Sequence, residues 1–422
     1  MCSFIFTNIN IRGNYKTGVK SRYRGPETTN TVYIDDYMLS HNLLDVSNHL
    51  MIQPIYQDDI ALLYNGEIYS PGVFRGRDTE QIIPFYEEFG PMFVNEISGE
   101  YGICICDFRN RTVNLYTDIF GTKPIYYSIE SGNIGISTYA SDLTLLGFRN
   151  NKRVEPSTYI KIDLDTLKII EKKTHSVFTI MEDKTSYDTC ASALQNAVNC
   201  RADQPVAVGI SSGYESGYLL QQTVNNPQHR FYYIKNGLED SQVMDTRFQL
   251  CEENGNKCTV INYTDFVSIY NQIEDLHLKK RCENGDVYCT ATSAKMLSSM
   301  MRKIKNNNMK IFLSGQGGDE ILSNYHGPHD LPFFAHNNLK NTFPWANFYG
   351  GCNRLNIDMC EYVGGSHGIE CRYPFLDRHF VQEFLNLHTK LKTRKYKSVL
   401  NEMLKISVAN NKIHLYNNSD EA

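Results

Sequence analysis

The stretch Pro205-Val206-Ala207-Val208-Gly209-Ile210-Ser211-Ser212-Gly213-Tyr214-Glu215-Ser216-Gly217 decides how the second half of this chain folds. An apolar run of strand length ends in a turn of small residues, and the turn opens a helix. Such a unit cradles anions, because the amides of the turn and of the helix start point at one place. The pattern G-x-x-x-x-G-K-[ST] is absent, so the loop is not of the Walker A kind. Upstream, Ala191, Leu194, Ala197 and Val198 fall at helical spacing. Downstream, Lys310–Leu313 runs into Ser314-Gly315-Gln316-Gly317-Gly318-Asp319-Glu320, a second strand, loop and helix start. Strands alternating with helices imply a parallel sheet, with both loops at strand carboxyl ends beside one crevice. Glu215 and Asp319 would then share a magnesium ion, which takes one or two protein carboxylates plus phosphate oxygens. Read singly, each loop is as well an ordinary connection between strand and helix.

The first half has another rhythm. Ile60–Tyr64, Gly102–Phe108, Thr112–Thr117 and Ile134–Ser137 are short runs of strand type between turn signals. One helix is expected between Thr79 and Phe89, from Ile82, Ile83, Tyr86 and Phe89, with Pro84 as a point where it would kink or end. Residues 149–184 are polar and charged with short strand-like pieces, and read as the end of one domain running into a linker.

Length and composition set the outer limits. The 422 residues suffice for two domains, and 41% hydrophobic with 21% charged residues excludes wholesale disorder and coiled coil. The balance of 42 basic against 47 acidic residues does not suggest a nucleic-acid partner. No apolar stretch of ~18 residues and no signal peptide is present, so a cytoplasmic protein without a membrane partner is expected. The 12 cysteines form no C-x-x-C pair, which argues against zinc ribbons, and Cys104 and Cys106 read as buried hydrophobes on one strand face. Cys2 stands apart. Removal of Met1 would leave its thiol beside a free α-amine with a reference pKa of about 8, a suitable base. Taken alone, a cysteine at that position is more simply coincidence.

An ordered set of motifs resembles the glutamine-hydrolysing asparagine synthetases, class-II glutamine amidotransferases fused to an ATP-pyrophosphatase-type synthetase domain. These are Met1-Cys2, Arg24-Gly25-Pro26, Asn65-Gly66-Glu67-Ile68-Tyr69, Asp78-Thr79-Glu80, the run Asp118–Tyr127, the two phosphate loops, and Gly368–Asp377. The resemblance covers residues 1 to 405 and identifies the chain as a C-terminally shortened variant. It implies a mixed α+β and α/β chain. An N-terminal Ntn-hydrolase αββα sandwich over 1–178 precedes a parallel-sheet α/β ATP-pyrophosphatase-like domain over 186–405 and a short tail over 406–422. The implied activity is glutamine hydrolysis at Cys2, with ammonia channelled to a carboxylate adenylated by ATP. Aspartate is the default acceptor, giving asparagine, AMP and pyrophosphate. Glutamine, ATP, Mg2+ and the acceptor are the implied small-molecule partners, and a homodimer is one possible assembly.

By the same resemblance, Cys2 is the nucleophile, Asn65 and the Gly66 amide form the oxyanion hole, and Glu67 and Asp78 bind the amino group of glutamine. Ser211, Gly213, Glu215 and Ser216 hold pyrophosphate and magnesium, with Asp319 as the second carboxylate. Ser314, Gly315 and Glu320 contact nucleotide and adenylate, and Lys397 stabilises the phosphates. Simpler readings stand beside these. Asn65-Gly66 alone reads as a hairpin turn, Asp78 as a helix cap, and Lys397 as a solvated surface lysine. Arg24 and Arg372 read as loop braces through carboxylate pairs.

The chain departs from the family pattern S-G-G-x-D-S by Ser212 and Glu215, and carries Gln316 where an acid is usual. Asn42 stands after His41 where an arginine for the glutamine carboxylate is expected, and little sequence follows Lys397. Two alternatives therefore remain: the same chemistry on a sugar, peptide or modified-metabolite carboxylate, and a binding or scaffold protein with an inactive synthetase site.

Overall fold

Alternation of side chains along strands builds the first half. The computed structural model describes residues 2–11, 19–46, 51–70, 78–235, 237–262, 291–322, 339–394 and 397–411. Met1, Cys282, Cys289, Tyr396 and the terminal 412–422 lie outside them. Two units divide the chain: Met1–Val177 with Gly365–Glu370, and Phe178–Gly364 with Cys371–Ala422.

The first unit contains β1 (Ser3–Thr7), β2 (Thr28–Ile34), β3 (Tyr37–Leu43), β4 (Ile55–Gln57), β5 (Ile60–Ile68) and β6 (Gly99–Asp107). It continues with β7 (Thr112–Thr117), β8 (Tyr126–Glu130), β9 (Asn133–Ser137), β10 (Lys152–Arg153), β11 (Thr158–Asp163) and β12 (Lys168–Thr174). They form two six-stranded sheets, β10-β8-β9-β1-β3-β2 and β12-β11-β7-β6-β5-β4. Successive residues of β5 point to opposite faces. Ala61 and Leu63 join Phe4, Phe6, Leu39 and Ile160 in a core shared by both sheets. Ile60, Leu62 and Tyr64 pack instead with Ile82, Ile83 and Tyr86. The helices are α1 (Val19–Arg24), α2 (Asp78–Phe89) and α3 (Ala140–Leu145). Helix α2 covers the second sheet, while α1 contacts β1 and β3 and α3 contacts β8 and β9, giving αββα layering.

Two expectations change here. Helix α2 continues past Pro84, with Ile82, Ile83 and Tyr86 buried around it. Burying those side chains is worth about 1.5–3 kcal/mol each, together more than the ~3 kcal/mol an interior proline costs. The strand-like pieces of residues 149–184 are β10, β11 and β12, with Ile160 and Ile162 in the core. Asn65-Gly66 is not a hairpin turn. Both residues lie inside β5, opposite Gly102 and Tyr101 of β6. Cys104 and Cys106 sit in the shared core as expected.

The second unit follows the strand–helix alternation. After α4 (Asp188–Arg201) come β13 (Ala207–Ile210), α5 (Tyr214–Thr223), β14 (Arg230–Lys235), α6 (Ser241–Glu253) and β15 (Cys258–Asn262). With β16 (Ile311–Leu313) and β17 (Glu370–Arg372) they form a sheet ordered β15-β14-β13-β16-β17. The pairs β15·β14, β14·β13 and β13·β16 are parallel. Leu194, Ala197 and Val198 are the buried face of α4. Strands β13 and β16 are neighbours, so the two glycine- and serine-rich loops that follow them leave the sheet side by side.

Candidate active site

Cys2 precedes β1, which lies between β9 and β3 in its sheet. The Cys2 nitrogen donates to Asn65 Oδ1 at 2.9 Å. Arg24 closes α1 and is fully buried; its Nε donates to the Cys2 carbonyl at 2.8 Å and its Nη1 to Tyr139 Oη at 3.2 Å. Arg24 thus braces the cysteine backbone itself. The Cys2 Sγ lies 4.0 Å from the Leu44 carbonyl. Burial pushes its thiol up, against the pull of the chain terminus. A thiol in that state is protonated at neutral pH and needs a base to act as a nucleophile.

Asn65 is fully buried, and its Nδ2 has no hydrogen-bond partner. An orphaned buried donor costs about 1–3 kcal/mol. Gly66 follows with φ +151°, and a Cβ there would fall 2.1 Å from the Glu100 carbonyl oxygen, so only glycine fits against β6.

Asp78 opens α2. Its Oδ2 accepts from Tyr64 Oη at 2.6 Å and Ile68 N at 3.3 Å, and its Oδ1 from Thr79 N at 2.7 Å. Burial raises its pKa, while the Tyr64 hydrogen bond opposes the rise. The carboxylate therefore ties the helix start to β5 beside Glu67, a tertiary role beyond local capping. His41 is buried, with Nε2 3.3 Å from the Tyr64 carbonyl, and burial lowers its pKa to about 3. Asn42, at the expected arginine position, braces the sheet: Nδ2 donates to Ser3 Oγ at 3.1 Å and Oδ1 accepts from Thr29 Oγ1 at 2.8 Å. Glu370 was quoted in a motif but given no role by sequence reasoning. It is buried in this unit, and its charge raises the pKa of both Cys2 and Asp78.

The second cluster is built by the two loops after β13 and β16. Ser216 Oγ accepts from Ser211 N at 3.1 Å and lies 2.9 Å from Ser211 Oγ, which locks the first loop. Ser211 Oγ also accepts from Gly213 N at 3.3 Å. Behind the loop, Arg247 of α6 is fully buried. Its guanidinium donates to the Ser211 carbonyl, to Ser216 Oγ at 2.9 Å and to the Gly213 carbonyl at 3.0 Å. Desolvation lowers its pKa to about 10, so it stays charged at neutral pH. In front, Glu239 Oε2 accepts from both Ser212 N and Ser212 Oγ at 2.6 Å. The cradle does hold an anion, and that anion is the chain's own carboxylate. Neither Arg247 nor Glu239 was foreseen, because no local pattern marks residues that reach the loop from 27 to 36 positions away.

Lys397 is buried rather than solvated. Its Nζ lies 2.6 Å from Glu215 Oε1 and 2.7 Å from Asp319 Oδ1. The two expected metal ligands are thus brought together, bridged by an ammonium. Burial raises the Glu215 pKa; Lys397 pulls against it and Asp319 adds to it. Two hard oxygen donors around a cation fit Mg2+ in chemistry, with phosphate oxygens needed to complete the shell. In the second loop Ser314 Oγ accepts from Gln316 N at 3.2 Å. Glu320 is buried and turned inward: Oε2 accepts from Gly317 N at 3.1 Å and Oε1 from Asn356 Nδ2 at 2.9 Å. Its carboxylate organises the loop. Arg372 acts as the expected brace, donating to the Arg201 carbonyl at 3.0 Å and lying 3.4 Å from Asp203 Oδ1.

Residues 11–182, which carry Asn65, Gly66, Glu67 and Asp78, match a glutamine amidotransferase domain model, and residues 189–350 match an asparagine synthase model. The class is an amidotransferase joined to a synthetase in one chain. Similar proteins include asparagine synthetase [glutamine-hydrolyzing] 1 of Arabidopsis thaliana, 26% identical over 406 residues, covering 89% of this chain and 67% of that one. Asparagine synthetase B [glutamine-hydrolyzing] of Escherichia coli is 24% identical over 402 residues, covering 87% of this chain and 70% of that one. The chain belongs to the glutamine-hydrolysing asparagine synthetase family and is a glutamine-dependent ligase. Among the described residues no helix is long and apolar enough to cross a membrane.

Proposed function

We propose that this protein hydrolyses glutamine in its first unit and uses the ammonia in its second to amidate a carboxylate activated by ATP, with aspartate the first acceptor to test. After loss of Met1, the Cys2 α-amine takes the thiol proton, and Sγ attacks the glutamine carboxamide. The tetrahedral oxyanion is held by Asn65 Nδ2 and the Gly66 amide, and the proton leaves with ammonia. Water then frees glutamate from the thioester. Asp78 and Glu67 hold the glutamine amino group.

In the second unit the acceptor carboxylate attacks the α-phosphorus of ATP and pyrophosphate leaves. Ammonia attacks the acyl carbon of the adenylate, and AMP leaves. Ser211, Gly213, Ser216, Ser314 and Gly315 are the proposed phosphate and nucleotide contacts, and Lys397 offsets charge on the departing pyrophosphate. Glu215 and Asp319 would hold Mg2+, which when bound neutralises phosphate charge. The cytoplasm is the proposed compartment.

One observation carries the synthetase half. A buried lysine joins the acids of the two loops at 2.6 and 2.7 Å, an arrangement a scaffold protein with a decayed site has no reason to keep. The test is pyrophosphate release by the purified protein with ATP, Mg2+ and glutamine against a panel of carboxylates. Release with aspartate supports asparagine formation, and release only with another acid reassigns the acceptor. Silence with every acid defeats the proposal.

A further inference from the structure

The glutamate at 215 poses a steric question: its carboxylate must meet Lys397 and Asp319, yet its side chain is one methylene longer than the family's aspartate. The backbone of the second loop answers it. A Cβ built on Gly318 would lie 2.4 Å from Glu215 Cγ, 3.0 Å from Oε1 and 3.1 Å from Cδ. A Cβ on Gly315 would lie 3.1 Å from Glu215 Cβ. Glu215 therefore lies across the α-carbons of Gly315 and Gly318, and its γ-methylene fills the volume a side chain at 318 would need. Gly318 begins the helix Gly318–Leu322, and it is absent from the glycines with positive φ. Space, not backbone conformation, is what requires glycine there. Gly317 beside it differs, with φ +90° and a Cβ position 2.4 Å from Leu376 Cδ2.

We infer that Gly318 is the positioning residue for the synthetase acid: it leaves the groove in which Glu215 reaches Lys397, so the identities of residues 215 and 318 are coupled. The functional part of this inference rests on the proposed synthetase reading; the steric part does not. Gly318→Ala pushes Glu215 out of its groove. Glu215→Asp withdraws the carboxylate from Lys397 and leaves the groove empty. Gly318→Ala with Glu215→Asp refills the groove with a methyl group and a shorter acid.

The experiment is a double-mutant cycle read two ways. Thermal unfolding should show each single variant lowered, Gly318→Ala by roughly 2–10 °C as an overpacking change, and the double variant melting above Gly318→Ala. Pyrophosphate release should follow the same order, with about tenfold loss in Gly318→Ala and partial recovery in the double variant. Additive or worse losses in melting temperature would overturn the coupling. Coupled melting with no pyrophosphate release in any protein, wild type included, would uphold the packing and sink the proposed function instead. Coupled melting with turnover that fails to recover would remove the positioning role and leave only packing.

Discussion

At Cys2 a buried donor stands without a partner, whereas around the phosphate loops charged groups are already paired with one another. Asn65 Nδ2 is unsatisfied beside a nitrogen held at 2.9 Å. In the second unit Glu239 occupies the Ser212 amide, Arg247 grips the loop carbonyls, and Lys397 bridges two acids. The first arrangement is set before substrate arrives, and oxyanion formation supplies what is missing. The second must be opened, because the incoming triphosphate carries the same sign of charge as the carboxylate it meets. Glutamine hydrolysis should therefore depend on geometry, and nucleotide binding on an exchange of ion pairs.

The largest effect that could break this contrast is at Cys2. Cys2→Ala should abolish glutamine hydrolysis while ammonia-dependent amide formation continues; equal loss of both would deny two separate sites. Asn65→Ala should lower glutamine turnover by about 10²–10³-fold, the usual cost of one oxyanion donor, and a change below threefold would show that the orphan nitrogen serves packing only.

Lys397→Met tests the other side. It should cut ATP-dependent pyrophosphate release by about 10²-fold while glutamine hydrolysis by the same protein persists; unaltered release would make the ion pairs structural. A smaller change, and one of opposite sign, is expected from Glu239→Gln. Removing the resident charge should tighten ATP binding by about threefold to tenfold, measured by calorimetry, and weaker binding would show that Glu239 supports the loop instead of blocking it.

The smallest effect is on stability. Burial lowers the His41 pKa from 6.5 to about 3. Below pH 6.5 the unfolded chain takes up a proton that the folded chain refuses. Stability is therefore complete above that pH and falls as pH drops toward 3, by on the order of 1–2 kcal/mol at pH 5. His41→Gln should flatten this slope in chemical denaturation; an unchanged slope would place the acid sensitivity elsewhere.

What the sequence disclosed follows from range. The short apolar run Ile60–Tyr64 in β5 and the helical spacing of α4 report local burial, and both elements form where expected. Asn65-Gly66 misled because N-G is read as a turn from two residues alone, while Tyr101 and Gly102 across the sheet keep it extended. Pro84 misled for the same reason, since the burial that overrides it comes from β5 and β6. In the site, the loops were legible as motifs. Which groups brace them was not, because Glu239 and Arg247 arrive from other elements with no spacing rule, and Lys397 was reached only through the family resemblance.

One chain coupling two reactions must release their products in fixed proportion, so product stoichiometry is the decisive measurement. With glutamine, ATP, Mg2+ and the accepted carboxylate, glutamate, pyrophosphate and amide should appear together in equal amounts, and pyrophosphate should stop when the carboxylate is withheld. Glutamate released without pyrophosphate under every acceptor, or pyrophosphate released without amide, would contradict it.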